Sequence, residues 1–249
     1  IIMTTQTQLT TDELKQKSVG DIVADDYRTA SVFKAHSIDF CCGGGRSLEE
    51  ACIKKDIDPD ELVGELSDLD EKSSESHNYK SWSMSFLVDY IVNNHHQYVT
   101  EKLPELEQYM TKVHKVHGKS YDFLDELAKK FDMIKDEMTM HMKKEEKILF
   151  PYVKELEEAL ETRKQLDYEY FNRANGPIAA LTAEHDEAGS LMKDMADLTN
   201  NFTPPEGACT TFRVLYQNLS AFQDDLHKHV HLENNILFPK IENAEEKLN

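Results

Sequence analysis

The most constraining feature of the sequence is an eleven-residue stretch that occurs twice. HMKKEEKILFP begins at His141, and HVHLENNILFP begins at His229. Each copy has a Glu four residues after the His (Glu145 and Glu233), followed by Ile-Leu-Phe-Pro in the same register. Residues four apart lie on one face of a helix, about one turn from each other. Each copy therefore offers an imidazole and a carboxylate to a common point, and two facing copies could enclose a pair of metal ions.

A further histidine precedes each copy at a matched distance. His96 lies about 45 residues before His141, and His185 lies about 44 residues before His229, as expected for an internal duplication. Each lies in a helical pattern of its own. The sequence thus predicts metal ligands from four helices: His96, His141, Glu145, His185, His229 and Glu233.

The metal-ligand hypothesis has an ordinary alternative, in which these are surface acids and hydrogen-bonded core histidines. One His-x-x-x-Glu pair favours that alternative, because acidic helices contain such pairs often. The shared register and the matched upstream histidines reverse the preference, since buried carboxylates require a partner or a metal. Imidazole and carboxylate without thiolate suit iron, zinc or manganese, and their number in one bundle favours a dinuclear site.

Length and charge limit the class of protein. The 249 residues suffice for one large or two small domains, and the formal net charge of -19 argues against nucleic acid or an anionic membrane as a partner. No apolar run has transmembrane length, and no secretory leader opens the chain. Four cysteines, two of them adjacent, do not indicate a disulfide framework. These features predict a cytoplasmic protein.

Composition predicts four parts in an all-α chain. Residues 1–17 are expected to be flexible, and 18–66 to form a small helical domain around the Cys-Cys-Gly-Gly sequence. Residues 67–80 are polar without hydrophobic periodicity, as in a linker. The remainder, 81–249, is predicted to form a helical bundle.

Within this last part the pattern predicts an antiparallel four-helix bundle. Helices are expected at about 82–116, 119–167, 177–200 and 208–247, separated by Gly- and Pro-containing breaks. The stretch 155–175 is charged, extends the second helix and has no assigned function. Pro151 and Pro239 should kink or end their helices.

Other titratable residues near the predicted ligands have secondary roles. Glu137, one turn before His141, and Glu184, beside His185, are candidates for orienting ligands or handling protons. The alternative, of about equal weight, is that both are solvated acids. His95 is expected beside the ligands or at the surface. His227, His231 and Glu146 are expected to face elsewhere.

Adjacent thiols supply a second candidate chemistry. Cys41 and Cys42 precede a glycine turn, with Arg46 and a helix start nearby. A lowered pKa of these thiols, with reactivity or metal binding, is therefore predicted. The alternative, of about equal weight, is that the turn serves local packing. Cys52 and Cys209 fall in helical patterns and are expected to be buried packing residues.

These residues, together with the stretches DFCCGG from Asp39, HDEAG from His185 and LENN from Leu232, resemble the repair-of-iron-centres family over about residues 18 to 242. The resemblance implies a hemerythrin-like bundle behind a Cys-Cys-Gly-Gly domain, with the same six ligands holding two non-heme iron ions bridged by carboxylates and an oxo group. It also implies repair of iron–sulfur clusters damaged by nitrosative or oxidative stress, with damaged cluster proteins as clients and nitric oxide or oxygen as small ligands.

Other functions stay open at this point. A nitric oxide reductase and a reversible carrier or sensor of oxygen or nitric oxide would use a similar centre. Oxygen-carrying hemerythrins have five His and two carboxylates, one of them an Asp, whereas this chain has Glu in both copies. The sequence leaves enzymatic turnover, the electron donor, and a monomer or a homodimer undecided.

Overall fold

The computed structural model describes residues 10–69, 77–162 and 175–248. It divides the chain into two compact units, Ile1–Trp82 and Ser83–Asn249. The predicted all-α class is confirmed, because the described ranges contain helices and turns and no strand. None of the helices in those ranges has the length and apolarity needed to span a bilayer. Parts of three predicted segments lie outside the described residues: 1–9, 70–76 and 163–174.

The first unit is built from short helices. They are α1 (Thr11–Gln16), α2 (Val19–Asp25), α3 (Ala30–Ala35), α4 (Leu48–Lys55) and α5 (Pro59–Ser67), with 3-10 turns at Tyr27–Thr29 and Tyr79–Ser81. Helix α1 begins within the stretch predicted to be flexible. Its start is stabilised by a reciprocal capping box between Thr10 and Glu13.

The two helix starts predicted further along this unit are present. Ser47 and Glu50 form a capping box at α4, and the side chain of Asp58 caps α5, whose first residue is Pro59. Helices α2 and α3 bury apolar side chains such as Val23 and Phe33, both fully shielded from solvent. Backbone hydrogen bonds from Val19 to Arg46 and from Gly20 to Gly44 join the start of α2 to the Cys-Cys-Gly-Gly loop.

The second unit contains four long helical arms within the described residues. The first comprises α6 (Met84–Tyr90), a π-helical turn (Ile91–His96) and α7 (Gln97–His117); the second comprises α8 (Phe123–Lys144), a π-helical turn (Glu145–Leu149) and α9 (Phe150–Thr162); the third is α10 (Asn175–Leu198); and the fourth comprises α11 (Thr210–Leu232), a π-helical turn (Glu233–Leu237) and α12 (Phe238–Leu248).

Packing between these arms forms a four-helix bundle. Helix α8 contacts α7 and α10, α7 contacts α11, and α12 contacts α9. Because only residues 118–122 separate α7 from α8, these neighbours run antiparallel. Helix α8 presents one apolar stripe to the core, with spacings of three and four residues: Leu124, Leu127, Phe131, Ile134 and Met138. Burying each such side chain stabilises the fold by roughly 1.5–3 kcal/mol before entropy is counted.

Two of the three π-helical turns lie just before the prolines for which a kink or a helix end is predicted. Pro151 and Pro239 do not end their helices, which continue to Thr162 and Leu248. Each proline is instead the second residue after a π-helical turn. A proline lacks an N–H and its ring crowds the carbonyl four residues earlier, so a locally widened helix accommodates it.

Candidate metal centre

All six predicted ligands converge in the core of the second unit. His141 lies in the last turn of α8, His185 within α10 and His229 within α11, whereas the other three lie in π-helical turns. Each is at most 3% exposed to solvent. The full set is His96, His141, Glu145, His185, His229 and Glu233.

Their ligand atoms form two overlapping groups. One group contains His96 and His229, the other contains His141 and His185, and both contain Glu145 and Glu233. Within each group the ligand atoms lie within 4.8 Å of one another. Two histidines and two shared carboxylates per group are the donors expected for a pair of ions joined by glutamates.

Glu145, on the second arm, faces histidines from two arms. Its Oε2 lies 3.3 Å from Nε2 of His96 and 3.3 Å from Nε2 of His141. The carboxylate of Glu233 lies 3.2 Å from Nε2 of His185 and 3.1 Å from Nε2 of His229. All four imidazoles therefore direct the same ring nitrogen, Nε2, toward the carboxylates.

Charge and burial show why this arrangement needs a cation. Burial opposes ionisation of Glu145, as does Glu233, but the neighbouring imidazoles outweigh both and lower its pKa. Burial likewise opposes protonation of His141, yet the charge of Glu145 raises the pKa of His141 to about 9. Two ionised carboxylates in a dry core require compensating positive charge, which protons on the histidines or bound metal ions could provide.

Unused donor atoms favour the metal over the protons. Among the described residues, both carboxylate oxygens of Glu145, Oε2 of Glu233 and Nε2 of His96 are buried without a well-directed hydrogen bond. Buried polar atoms are normally satisfied, so these atoms fit positions that coordinate an ion. Imidazole and carboxylate donors without thiolate suit iron, zinc or manganese.

Outer hydrogen bonds hold three of the ligand rings. Nδ1 of His141 lies 3.0 Å from Glu184, and Nδ1 of His96 lies 2.8 Å from Glu146. An ionised carboxylate only accepts hydrogen bonds, so each Nδ1 carries a proton, and Nε2 is the nitrogen that can offer a lone pair to a metal once any second proton has left. Glu184 therefore contacts a predicted ligand directly.

Glu146 corrects one expectation. It was predicted to face away from the ligands, because regular helix geometry separates it from its neighbour Glu145 by about 100°. Both residues lie in the π-helical turn, whose larger number of residues per turn changes the directions of its side chains. The carboxylate of Glu146 thereby reaches the ring of His96.

Asn234 is an outer partner that the sequence analysis did not identify. Its Oδ1 lies 2.9 Å from Nδ1 of His185 and accepts that N–H. The available signal was its position: Asn234 directly follows Glu233 in the second copy of the repeat, as Glu146 follows Glu145 in the first. The duplication thus extends to the residue that orients a histidine.

A cleft of about 350 Å³ lies beside His141. Its lining from α8 and α10 includes the carboxylates of Glu137, Glu184 and Glu187, the ammonium of Lys144, which pairs with Glu184, and apolar side chains. Burial and the charges of Glu187 and Glu184 raise the pKa of Glu137. The structure places Glu137 at the approach to a ligand but gives it no contact with one among the described hydrogen bonds.

Two histidines next to ligands are buried. His95 is 3% exposed, its Nδ1 lies 2.9 Å from Asp225, and its ring stacks on His229 with centroids 5.4 Å apart. The surface alternative for His95 is therefore wrong. His231 is fully buried and lies 3.3 Å from Asn235.

The cysteines differ from expectation at two positions. Cys52 is buried as predicted, but Cys209 is exposed just before α11, with Sγ 3.2 Å from Nε2 of His117. The predicted lowering of the thiol pKa is wrong for Cys41. A hydrogen bond with Cys42, burial and the carboxylate of Asp39 raise the pKa of Cys41, because each disfavours a thiolate in the absence of a cation.

Comparisons with known proteins agree with this geometry. Residues 87–241 match the family model described as the hemerythrin HHE cation binding domain, and residues 15–70 match a domain of unknown function (DUF542). The iron-sulfur cluster repair protein YtfE of Enterobacter sp. (strain 638) is 34% identical, with 91% of this chain and 96% of that protein covered. The proteins of the same name from Yersinia pestis (strain Pestoides F) and Yersinia pseudotuberculosis (serotype O:1b) are each 36% identical, with 92% and 97% covered. The resemblance found in the sequence is therefore confirmed, and the chain belongs to the hemerythrin-domain family of iron–sulfur cluster repair proteins.

Proposed function

We propose that this protein repairs iron–sulfur clusters damaged by nitrosative or oxidative stress, using a centre of two iron ions. The ligands assigned to the irons are the six convergent side chains of the second unit: His96, His141, Glu145, His185, His229 and Glu233. When bound, such a pair supplies redox chemistry and coordination positions for a small ligand such as nitric oxide.

The observation that supports two ions most strongly is the sharing of both glutamates. Each of the two donor groups has its own pair of histidines, and Glu145 and Glu233 belong to both. A single ion would use one pair of imidazoles and leave the other pair facing buried carboxylates without a cation. Two ions bridged by the carboxylates would use all the donors.

The chain's own residues prepare this site in two ways. Burial of the ligands excludes water, and the hydrogen bonds to Nδ1 of His96, His141 and His185 keep each Nε2 available. On the cleft side, Glu184 and Glu137 are assigned to proton handling. Glu184 accepts a hydrogen bond from Nδ1–H of His141, and although burial opposes its ionisation, Lys144 and His141 lower its pKa, so it acts as an ionised acceptor. The raised pKa of Glu137 favours a proton on that carboxyl.

We assign iron delivery to a damaged client protein as the principal activity. The relatives' name specifies cluster repair, and Glu137 and Glu187 in the cleft beside His141 offer carboxylates suited to a departing cation. Reduction of nitric oxide at the same centre is the competing activity. Formation of nitrous oxide over many turnovers would favour it, whereas loss of iron in proportion to client recovery favours delivery.

The test uses a cluster-dependent enzyme inactivated by nitric oxide. Iron-loaded protein is expected to restore its activity, and a variant with Glu145→Gln and Glu233→Gln is expected not to. The matched control replaces two exposed glutamates of α9, Glu155→Gln and Glu161→Gln, which makes the same change in net charge away from the ligands. Equal recovery with both double variants would contradict the proposal.

A further inference from the structure

The loop that carries the adjacent cysteines has a defined shape. Asp39 accepts backbone N–H groups from three successive residues, with distances of 3.0 Å to Cys41, 3.1 Å to Cys42 and 2.9 Å to Gly43. A Cβ added at Gly43 would lie 3.0 Å from the carboxylate, so glycine leaves room for this wrapping. The loop therefore folds around the Asp39 side chain.

The rest of the first unit keeps the loop in place. Phe40 is 4% exposed and anchors the loop in the core. Backbone hydrogen bonds join Gly44 to Gly20 and Arg46 to Val19 at the start of α2. A loop supported at its base and centre can present side chains in a fixed arrangement.

This arrangement brings three metal-ligating groups together. The Sγ atoms of Cys41 and Cys42 lie 3.9 Å apart, and Sγ of Cys41 lies 3.2 Å from Oδ1 of Asp39. The donor atoms of all three residues lie within 4.8 Å of one another. Two thiolates bound to one tetrahedral ion at about 2.3 Å would lie about 3.8 Å apart. The observed sulfur separation thus matches two ligands of one ion.

From this geometry we propose that Asp39, Cys41 and Cys42 form a mononuclear site for a divalent transition-metal ion of borderline softness, such as iron(II) or zinc(II). Two thiolates and one carboxylate select such ions over calcium or magnesium, which prefer oxygen ligands alone. The site lies in the first unit and does not depend on the metal centre of the bundle.

Binding of the ion exchanges protons for metal. The Cys41 thiol directs its proton toward Oδ1 of Asp39, and the ion takes the position of that proton. Both thiols lose a proton to solvent as the two metal–sulfur bonds form, so affinity rises with pH. Cys42 is half-buried and Asp39 is exposed, which gives the ion access from solvent.

Three protein ligands make the bound ion exchangeable. Structural zinc sites have four protein ligands, whereas sites with three keep a position for water or another ligand. The site is therefore suited to an ion that arrives and leaves rather than to one that holds the unit together. The hydrogen bonds and capping boxes described above also stabilise the helices of this unit.

The test is titration of the full-length protein with cobalt(II), a spectroscopic substitute for both candidate metals. The bundle centre is first filled with iron, and the thiols are kept reduced without oxygen. One equivalent of cobalt is expected to produce a thiolate-to-cobalt charge-transfer band in the near ultraviolet. Cys41→Ser and Cys42→Ser should each remove most of it, while Cys209→Ser, which changes the exposed thiol beside His117, should leave it intact.

Two further measurements make the test decisive. Circular dichroism is expected to show the same helix content in both serine variants as in the parent, so that a lost band reports lost ligation. Asp39→Asn is expected to weaken cobalt binding while the thiolate band stays visible at high cobalt. The proposal is overturned if the parent shows no band or if the band survives in the Cys41→Ser/Cys42→Ser double variant. An unchanged affinity in Asp39→Asn would overturn the assignment of the carboxylate.

Discussion

Replacing Asn234 with leucine tests whether outer hydrogen bonds prepare the metal ligands. Leucine has a similar size and leaves the net charge unchanged, but it cannot accept the Nδ1–H of His185, now 2.9 Å from Oδ1 of Asn234. His185 is 1% exposed, so water has little access to replace the lost acceptor. The substitution also frees the ring to turn or to move its proton to Nε2, the atom that must bind metal.

The magnitude follows from the general energetics of outer partners. Loss of such a partner weakens metal binding by about 10- to 100-fold, which corresponds to roughly 1.4–2.7 kcal/mol. The lower part of this range is expected here, because the amide of Asn234 is a neutral acceptor and neutral hydrogen bonds are weaker than charge-assisted ones. We therefore expect about tenfold weaker iron(II) binding in Asn234→Leu.

The assay is competition with a chelator for iron(II) in the absence of oxygen. Asn243→Leu is the matched control, since Asn243 is exposed on α12 and donates only a local hydrogen bond, to the carbonyl of Pro239, among the described contacts. The control is expected to bind iron as the parent does. Equal iron affinities for Asn234→Leu and Asn243→Leu would refute the reasoning.

Three further predictions concern stability. Burial opposes ionisation of Glu157, but hydrogen bonds from Ser85 and the backbone N–H of Met84 lower its pKa. The ionised carboxylate therefore stabilises the folded state at pH values above its unfolded pKa of about 4.3. This stabilisation is lost as the pH falls through the lower pKa of the folded state. In urea unfolding, Glu157→Gln should be less stable than the parent near pH 7 and approach it in acid, and a pH-independent gap would count against this. Leu127 is fully buried, so Leu127→Ala should lower the free energy of unfolding by about 2–5 kcal/mol. Met133 is 49% exposed, so Met133→Ala should change that free energy by under about 0.5 kcal/mol. Similar losses of stability in the two variants would be inconsistent with the packing. Removing the metal with a chelator should lower Tm, since ligands that bind only the folded state stabilise it, and an unchanged Tm would indicate no such coupling.

Helix placement and the convergence of the six candidate ligands could be predicted because both depend on spacing. The apolar stripe of α8 and the four-residue interval from His141 to Glu145 can be recognised from residue spacing alone, without knowing where the helix begins. The duplication then distinguished this His-Glu pair from similar pairs that occur in acidic helices by chance. The upstream histidines, His96 and His185, were found through the same symmetry.

The π-helical turns could not be predicted from the same spacing. A widened turn changes the direction of each side chain it contains, so Glu146 reaches His96 although regular geometry sends it elsewhere. The shared Phe-Pro after each repeat was the available signal. It predicted a kink or a helix end at Pro151 and Pro239, whereas each proline follows a π-helical turn and its helix continues.

The thiol chemistry depended on contacts that a local sequence does not reveal. A glycine turn and a nearby Arg46 suggested a stabilised thiolate, but the loop folds Asp39 against Cys41 and raises the pKa of that thiol. Cys209 was misplaced for a simpler reason. It directly precedes α11 rather than lying inside it, and boundary positions of this kind are the least predictable part of a helical pattern.

The most direct test of the central claim is the iron content of the purified protein. The chain is produced with ample iron, purified without chelator and measured by elemental analysis together with protein concentration. The shared carboxylates of Glu145 and Glu233 predict two irons per chain, and His185→Ala should reduce that number. One iron per chain, or none, in a well-folded preparation would contradict the dinuclear centre.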